Sequence, residues 1–257
     1  CGTPLETHSA KQVNNFYILR NFFYKCGRKY VANNGVGGRC IEISGIQGSQ
    51  NHRTNHHVAY NMAYDCQGFL GANQASPLFI YNNIALNVGY GFWFFNQSKP
   101  LQVTLENNVV RGLNPDQPKA YGGENKAPHF VNYTCWAKGS YLKSRNNLFF
   151  DSRIKSGLTF CSPSGSYRNT AVKKFDLGLT IASGSEGKGD RFSDPKCKVS
   201  VPSGADRVSQ VSLRLSPDSP LPGAGIPVEV ESYPSSDIFH TEIRKDNVPI
   251  GAYLPAN

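Results

Sequence analysis

The sequence predicts an all-β fold in which short strands coil into one right-handed parallel β-helix, followed by an irregular carboxyl-terminal segment. Three observations lead to this prediction: a recurring Asn-led motif, many short apolar runs separated by Gly and Asn, and no stretch with sustained 3.6-residue periodicity. The chain has 257 residues, of which 39% are apolar, and is therefore long enough to bury a complete core.

The recurring motif consists of an Asn, three mostly apolar residues, a polar or small residue and then a turn. It reads Asn21-Phe-Phe-Tyr-Lys-Cys-Gly, Asn61-Met-Ala-Tyr-Asp-Cys-Gln-Gly, Asn83-Ile-Ala-Leu-Asn-Val-Gly, Asn108-Val-Val-Arg-Gly and Asn147-Leu-Phe-Phe-Asp-Ser. The leading Asn residues are 40, 22, 25 and 39 positions apart. These intervals fit one or two turns of about 20–25 residues each, and the last interval would include an inserted loop near residues 114–126.

A parallel β-helix gives this motif a physical reason. Each turn contributes short strands whose alternate side chains point into a shared core. An Asn at a corner tolerates the left-handed conformation, and stacked Asn side chains can bond to one another from turn to turn. A β-sandwich with Asn-rich hairpins is the alternative, but it would show two-residue Asn-Gly connections. Here Asn-Asn pairs stand directly before apolar runs, at Asn82-Asn83, Asn107-Asn108 and Asn146-Asn147, which favours the coil.

Charge divides the chain into two parts. Residues 1–175 contain 19 Lys and Arg against 7 Asp and Glu, a net charge of +12, whereas residues 176–257 contain 8 against 11, a net charge of −3. We predict that residues 1–175 form the coils and that residues 176–257 form the final coils and a tail that packs on them. The stretch from Lys138 to Lys174 has eight basic residues and one acid, Asp151. It either attracts a polyanion or is a solvated basic face.

Cysteines and glycosylation motifs predict a secreted glycoprotein with disulfides. The seven cysteines lack the CxxC spacing of zinc or redox sites, and Asn96 and Asn132 each begin an Asn-X-Ser/Thr triplet. The odd count leaves one cysteine unpaired or paired outside this sequence. Because the chain begins with Cys1, we expect a processed form or a piece of a longer protein, completed by a neighbouring chain or a missing amino-terminal segment. No window approaches 18 apolar residues, so no membrane span is predicted.

Several segments resemble known β-helix proteins. The Asn-led turns resemble the repeats of the pectate-lyase-like superfamily, and residues 41–68 and 89–94 are similar to repeats of extracellular fibrocystin- and hyaluronidase-related proteins. The tail is similar to the closing segment of bacterial β-helix polysaccharide lyases; this resemblance is carried by Phe192–Pro195, Leu213–Pro220, Gly223–Gly225 and Pro249–Tyr253. The resemblance implies an extracellular β-helix, a fold that hosts lyases, hydrolases, epimerases and adhesins.

The lyase resemblance implies β-elimination on a uronic-acid polymer, in which Lys, Arg or a His/Tyr pair removes the C5 proton. Calcium-dependent members hold the ion with an Asp cluster, but Asp65 is the only Asp before residue 116, so we expect neither metal nor cofactor. The candidate catalytic residues for a metal-independent reaction are His56 and His57 as proton shuttles, Arg53 as a partner of the carboxylate, and Tyr60. The alternative is a polar connecting turn that is rich in His.

A basic ladder is the candidate binding surface. Tyr141, Lys143 and Arg145 would share one face of a strand, and Arg153 and Lys155 one face of the next, with about 4.8 Å between strands. In the run Phe92–Phe95, we expect Phe92 and Phe94 to face the core and Trp93 to face outward, either as a stacking platform for sugars or under a loop. The residues predicted to bind substrate are Lys143, Arg145, Arg153, Lys155 and Trp93.

Two functions remain open at this point. The first is an extracellular β-helix that binds, and as a lyase cleaves, an acidic polysaccharide by metal-independent β-elimination. The second is a non-catalytic structural or adhesive segment of a larger surface protein or filament. Nucleic acid is not an expected partner despite the net charge of +9, because the extracellular features argue against it.

Overall fold

The structure of the chain is a computed structural model. It describes residues 5–9, 14–26, 39–45, 55–73, 76–96, 100–111, 129–135, 140–150, 158–161, 167–170, 186–188, 190, 193–204, 210–228, 236–239, 241–243, 248 and 251. Arg53, Arg153 and Lys155, which were predicted to lie at the functional site, are outside these residues.

Three parallel sheets form the body of the described structure. Sheet 1 consists, from edge to edge, of β1 (Leu5–Ser9), β4 (Arg39–Gly45), β7 (Gly68–Ala72), β10 (Tyr90–Asn96) and β13 (His129–Cys135). Sheet 2 consists of β2 (Tyr17–Leu19), β5 (His56–Ala59), β8 (Leu78–Tyr81), β11 (Gln102–Glu106), β14 (Tyr141–Arg145) and β18 (Glu186–Lys188). Sheet 3 consists of β3 (Phe22–Tyr24), β6 (Met62–Tyr64), β9 (Ile84–Leu86), β12 (Val109–Arg111) and β15 (Leu148–Phe150).

Two antiparallel strand pairs follow β15 in sequence, and β18 of sheet 2 lies between them. They are β16 (Leu158–Cys161) with β17 (Tyr167–Thr170), and β19 (Cys197–Ser200) with β20 (Ser212–Leu215). The described residues contain no α-helix, and none of them forms a helix long and apolar enough to cross a membrane. The prediction of an all-β chain with parallel strands is confirmed.

The chain visits the three sheets in a fixed order. Each set of three strands from β1 to β15 contributes one strand to sheet 1, one to sheet 2 and one to sheet 3, and the next set pairs alongside it in parallel. We call one such passage a circuit. Tyr17 pairs with His57, which is 40 positions later, and His57 pairs with Phe79, which is 22 positions later. The longer and the shorter interval of the Asn motif therefore each correspond to one circuit. The long intervals between the Asn motifs are therefore single circuits with longer connections, not double turns.

The core lies inside the circuits. Alternate residues of sheets 1 and 2 and the middle residue of each sheet 3 strand point inward, and they form one apolar cluster with, among others, Ile41, Leu70, Ile80, Val103, Val110 and Phe149. Phe92 and Phe94 belong to this cluster, as the alternation in the sequence predicted. Burial of this continuous row of side chains is the main favourable contribution to the stability of the fold.

A hydrogen-bonded ladder of Asn side chains connects the circuits at the corner between sheets 2 and 3. The amide nitrogen Nδ2 of Asn21, Asn61, Asn83 and Asn108 donates to Oδ1 of the next leading Asn at 2.9–3.0 Å, and the ladder ends at Asn147. The backbone N–H of each donor residue bonds to the same oxygen. The residue before each Asn has a positive φ, between 52° and 58°, which directs the chain around the corner. The predicted ladder is therefore confirmed.

Asp190 caps the ladder at its carboxyl-terminal end. Its Oδ1 accepts hydrogen bonds from the backbone N–H of Asn147 at 2.7 Å and from Nδ2 of Asn147 at 3.0 Å, and its Oδ2 accepts one from Ser144 Oγ at 2.6 Å. Burial raises the pKa of Asp190 from its ordinary 3.8 to about 6, although these hydrogen bonds act in the opposite direction.

The carboxyl-terminal segment covers the outside of sheet 3. Outward side chains of that sheet and side chains from residues 197–238 form a second apolar cluster, which includes Met62, Ile84, Val109, Leu148, Cys197, Leu213, Leu221 and Ile238. The segment is also fixed at the Asn corner, because Asn107 bonds to both backbone groups of Ile226, and Asn146 Nδ2 donates to the carbonyl of Ala224. Further along, Val228 and Ile243 pack on outward residues of sheet 2.

The cysteines do not follow the prediction of a disulfide framework where they are described. Cys26, Cys40, Cys66 and Cys197 are free thiols, and all four are buried. Their side chains point into apolar clusters, where a thiol behaves as a small hydrophobic group.

The ladder predicts that the cost of losing an Asn depends on its position. We expect Asn108→Ala to lower the free energy of unfolding by about 2–4 kcal/mol, because it leaves buried partners on two neighbouring circuits unsatisfied. Asn21→Ala removes the first, half-buried rung, which donates to Asn61, and should cost only about 1 kcal/mol. Urea denaturation compares the two, and equal losses would contradict a structural role of the ladder.

The raised pKa of Asp190 predicts a pH-dependent stability. Between pH 3.8 and about 6 the carboxyl group is ionised in the unfolded chain but stays protonated in the folded one, so the folded state binds more protons. The stability that Asp190 contributes is therefore greatest below pH 3.8 and is lost as the pH rises to about 6. Asp190→Asn keeps one of the two acceptor oxygens, the one that Asn147 uses, but does not titrate. The difference in denaturation midpoint between the two proteins should change over this interval, and a constant difference would contradict the assignment.

Candidate functional site

One row of outward side chains crosses sheet 2 over five circuits. In register, the row consists of Tyr17, His57, Phe79, Thr104 and Lys143. Neighbouring members are separated by the distance between parallel strands, about 4.8 Å. We call this set the sheet 2 row. It runs from aromatic rings to a cation, so its two parts have different chemistry. Beyond Lys143 the register continues to Glu186 of β18, whose side chain lies outside the described part.

The aromatic end of the sheet 2 row is a stack of three rings. Tyr17 and His57 lie 4.7 Å apart between ring centroids at an angle of 8°, and His57 and Phe79 lie 5.0 Å apart at 17°. Tyr17 is 40% exposed, whereas His57, which has a ring on each face, is 3% exposed. His57 Nε2 also lies 3.2 Å from Asn55 Oδ1. The stack therefore presents Tyr17 and holds the imidazole of His57 inside.

The basic end of the row opens into a shallow pocket of about 180 Å³. Its lining residues are Phe79, Ile80, Tyr81, Thr104, Glu106, Tyr141, Lys143, Arg145 and Val228. Lys143 Nζ lies 5.4 Å from the ring centroid of Tyr141. Burial raises the pKa of Tyr141, so its hydroxyl is protonated at neutral pH and can donate a hydrogen bond. The pocket is smaller than the roughly 300–1,000 Å³ of sites that enclose a small molecule, and suits a single unit of a longer ligand.

The charges in the pocket are unequal. Arg145 donates through Nε to Glu106 Oε1 at 2.6 Å and through Nη2 to the same oxygen. The carboxylate of Glu106 is buried, and this ion pair satisfies it. Lys143 is thus the cation of the pocket that the pair does not neutralise. Tyr141, Lys143 and Arg145 do share one face of β14, as predicted, but Arg145 is directed toward Glu106.

The predicted catalytic residues that the structure describes do not converge on one point, although the rings of His57 and Tyr60 both pack edge-on against Tyr81. His57 belongs to the sheet 2 row, whereas His56 points inward between the sheets, where its Nδ1 accepts a hydrogen bond from the backbone N–H of Phe16 at 3.3 Å. Tyr60 is fully buried at the Asn corner with a φ of 54°, and its ring packs edge-on against Tyr81. Arg53 is outside the described residues.

Trp93 lies on sheet 1 and not beside the sheet 2 row. The guanidinium of Arg39 lies 4.5 Å from its ring centroid and also pairs with Glu42 at 2.8 Å. A side chain on Gly71 would stand 2.0 Å from Arg39 Nη1, so the absence of a side chain there makes room for this arrangement. One ring face of Trp93 is therefore in contact with Arg39. The sequon residues Asn96 and Asn132 lie on β10 and β13 of sheet 1, and their side chains are outside the described part.

A larger groove of about 610 Å³ lies between sheet 3 and β19. Its lining residues are Tyr64, Leu86, Asn87, Arg111, Phe150, Cys197, Lys198 and Val199. Tyr24 stacks on Tyr64 with ring centroids 5.9 Å apart, and Arg111 pairs with Asp194 at 3.3 Å. Sequence reasoning missed this groove because the tail that forms one of its walls is distant in sequence from most of the strands that form the other.

The aromatic stack was also missed, although the sequence contains a signal for it. Tyr17, His57 and Phe79 follow one another at the same two intervals that separate Asn21, Asn61 and Asn83. Each ring residue stands four positions before one of these Asn residues. Applying the spacing of the motif to those positions would therefore have aligned the three rings.

Comparison with known proteins identifies no relative: no protein-family model, no curated protein and no solved structure matches the chain. The geometry of the sheet 2 row and of the grooves beside it therefore carries the functional argument.

Proposed function

We propose that this protein is an extracellular right-handed parallel β-helix of the pectate-lyase-like type, and that it binds an acidic polysaccharide along the outer face of sheet 2. The observation that carries the proposal is the sheet 2 row, in which an exposed aromatic ring and a cationic pocket lie on one parallel sheet. The order in which the strands succeed one another through the three sheets supports the β-helix.

The chemistry of the row matches a charged sugar polymer at both ends. Aromatic rings provide apolar area with little loss of side-chain entropy, and sugars stack on such surfaces through their C–H faces. A protonated Lys beside a neutral hydroxyl donor, as in the Lys143 and Tyr141 pair, suits a carboxylate. Because the pocket is open and shallow, the remaining units of a polymer could extend along the sheet on either side.

The charge distribution favours the same class of ligand. Residues 1–175, which supply the strands of the three sheets up to β15, carry a net charge of +12. A surplus of this size raises the local concentration of polyanions and speeds their association, and the effect weakens with salt. Since the general charge attracts any polyanion, the row must supply the specificity.

Lys143 should therefore matter more than a lysine elsewhere on the surface. We expect Lys143→Ala to weaken the binding of polygalacturonate or alginate about tenfold in low salt, since it removes a charge-assisted hydrogen bond. Lys198→Ala is the matched control, because it makes the same change of charge in the groove beside sheet 3. Isothermal titration or retention on immobilised polymer measures both. An equal loss in the two variants would indicate charge attraction alone, and a loss only in Lys198→Ala would move the site to that groove.

A second candidate is the non-catalytic structural or adhesive segment. The observation that favours it is the separation of His56, His57 and Tyr60 into a core position, a ring stack and a buried corner. A general base must lie within hydrogen-bond reach of the proton it removes. The covered imidazole of His57 does not offer this in the described arrangement.

Elimination is tested directly through the ultraviolet absorbance of unsaturated uronate products. With pectate, alginate, glucuronan and hyaluronan, we expect no rise in absorbance for the wild-type protein. A rise that persists with a chelator would contradict this expectation and establish a metal-independent lyase. In that case His57→Phe, which keeps a flat ring in the stack, separates the alternatives: loss of the rise would make His57 the base, and its persistence would direct attention to Lys143 and Tyr141.

A further inference from the structure

Three cysteines from three segments of the chain meet inside the coil. Cys26 follows β3, Cys40 lies on β4 and Cys66 follows β6, and their three Sγ atoms all lie within 4.8 Å of one another. Cys26 is 7% exposed, and Cys40 and Cys66 are fully buried. We call this group the thiol cluster. Sequence reasoning missed it because the three cysteines are widely spaced along the chain, unlike the CxxC spacing of familiar metal sites.

The circuits explain how these residues come together. Phe22 pairs with Met62, so Cys26 and Cys66 occupy equivalent positions of successive circuits at the corner between sheets 3 and 1. The backbone N–H of Cys26 lies 3.4 Å from Cys66 Sγ. Cys40, near the start of β4, reaches the same corner from sheet 1. The cluster is thus built into the repeat, because Cys26 and Cys66 occupy equivalent positions of successive circuits.

The spacing of the sulfurs suits a shared ion. A metal with three thiolate ligands at about 2.3 Å in a trigonal arrangement places the sulfurs about 4 Å from one another. The upper limit of 4.8 Å for all three separations lies close to this value, so small side-chain rotations suffice. A disulfide would instead require two sulfurs to approach to about 2.0 Å and would leave the third outside the bond.

The number and chemistry of the ligands favour a soft monovalent ion. Zn(II) in structural sites is held almost always by four ligands in a tetrahedron, whereas the cluster, among the described residues, offers three sulfurs. Among metal ions, thiolate sulfur favours soft ones such as Cu(I).

We propose that Cys26, Cys40 and Cys66 form a binding site for one soft monovalent cation, of which Cu(I) is the physiological representative. The ion bonds to the Sγ atoms of Cys26, Cys40 and Cys66, and each thiol that becomes a thiolate on binding releases one proton to the solvent. Copper remains Cu(I) throughout, and no electron is transferred. The site is independent of the sheet 2 row, and its existence does not require the polysaccharide function.

An ion held between two circuits also stabilises the fold. The cluster links β4 with the residues that follow β3 and β6, so an ion bound only to the folded chain raises the free energy of unfolding as its free concentration rises. This gives a readout of binding that does not depend on any activity.

The test uses the full, reduced chain without oxygen. Cu(I) is titrated in the presence of a chromophoric Cu(I) chelator, and native mass spectrometry counts the ions retained. We expect one Cu(I) per chain, an ultraviolet thiolate-to-copper absorption and a higher Tm, with Ag(I) giving the same stoichiometry and Zn(II) binding more weakly.

Cys40→Ser and Cys66→Ser should each weaken Cu(I) binding about tenfold or more. Cys197→Ser is the matched control, because Cys197 is a buried free thiol in the separate cluster beside sheet 3, and it should leave Cu(I) binding unchanged. Circular dichroism checks that each variant folds. If a variant does not, the wild-type titration with Cu(I), Ag(I) and Zn(II) still decides.

Three results would overturn the proposal. The first is a wild-type chain that retains no Cu(I) or Ag(I) against the chelator. The second is binding that the Cys40 and Cys66 variants leave intact. The third is a chain whose mass, as isolated, is lower by two hydrogens because two cluster sulfurs are joined in a disulfide, and which binds no ion until it is reduced and unfolded.

Discussion

The amide hydrogen bond between successive Asn side chains is the constraint on which the rest of the fold depends. Each interior Asn uses its carbonyl oxygen for two donors of the preceding circuit and its Nδ2 for acceptors on its own and neighbouring circuits. An Asp or a Leu of similar size lacks one or both of these capacities. Because the ladder fixes the corner between sheets 2 and 3 in successive circuits, strand register is set once per circuit. The outward row of sheet 2 and the inward meeting of three cysteines both follow from that register.

Much of the fold could be predicted because its signal is local and repeated. The Asn-led motif marks the corner, the apolar residues after it form a strand of sheet 3, and the alternation in Phe92–Phe94 indicates the core side. The intervals were harder to interpret, since the longer ones could hold one circuit or two. Nothing in strand physics limits the length of a connection that leaves the sheet and returns to it. Only the strand pairing, such as that of Tyr17 with His57, shows how many circuits an interval contains.

The candidate site was predictable only in part, for physical reasons that differ between residues. Lys143 was found because the charged side chains of β14 alternate with others and so share a face. The direction of the Arg145 side chain was not predicted, because its ion pair with Glu106 joins strands of two different circuits. Trp93 was placed correctly as outward, but its partner Arg39 lies on another circuit and the space between them depends on Gly71. Contacts between circuits can be predicted only when the strand register is known, and the structure is needed to establish that register.

The unequal ends of the Asn ladder have a consequence for how the molecule can change in length. Asn both donates and accepts, so one more rung can always be inserted between two existing ones, whereas the carboxyl group of Asp190 receives the last bonds and closes the series. Growth or loss of the protein over evolutionary time should therefore proceed in whole circuits, without disturbing either end. The length of the outer surface therefore changes in steps of one strand spacing, and the number of circuits that the gene encodes sets it.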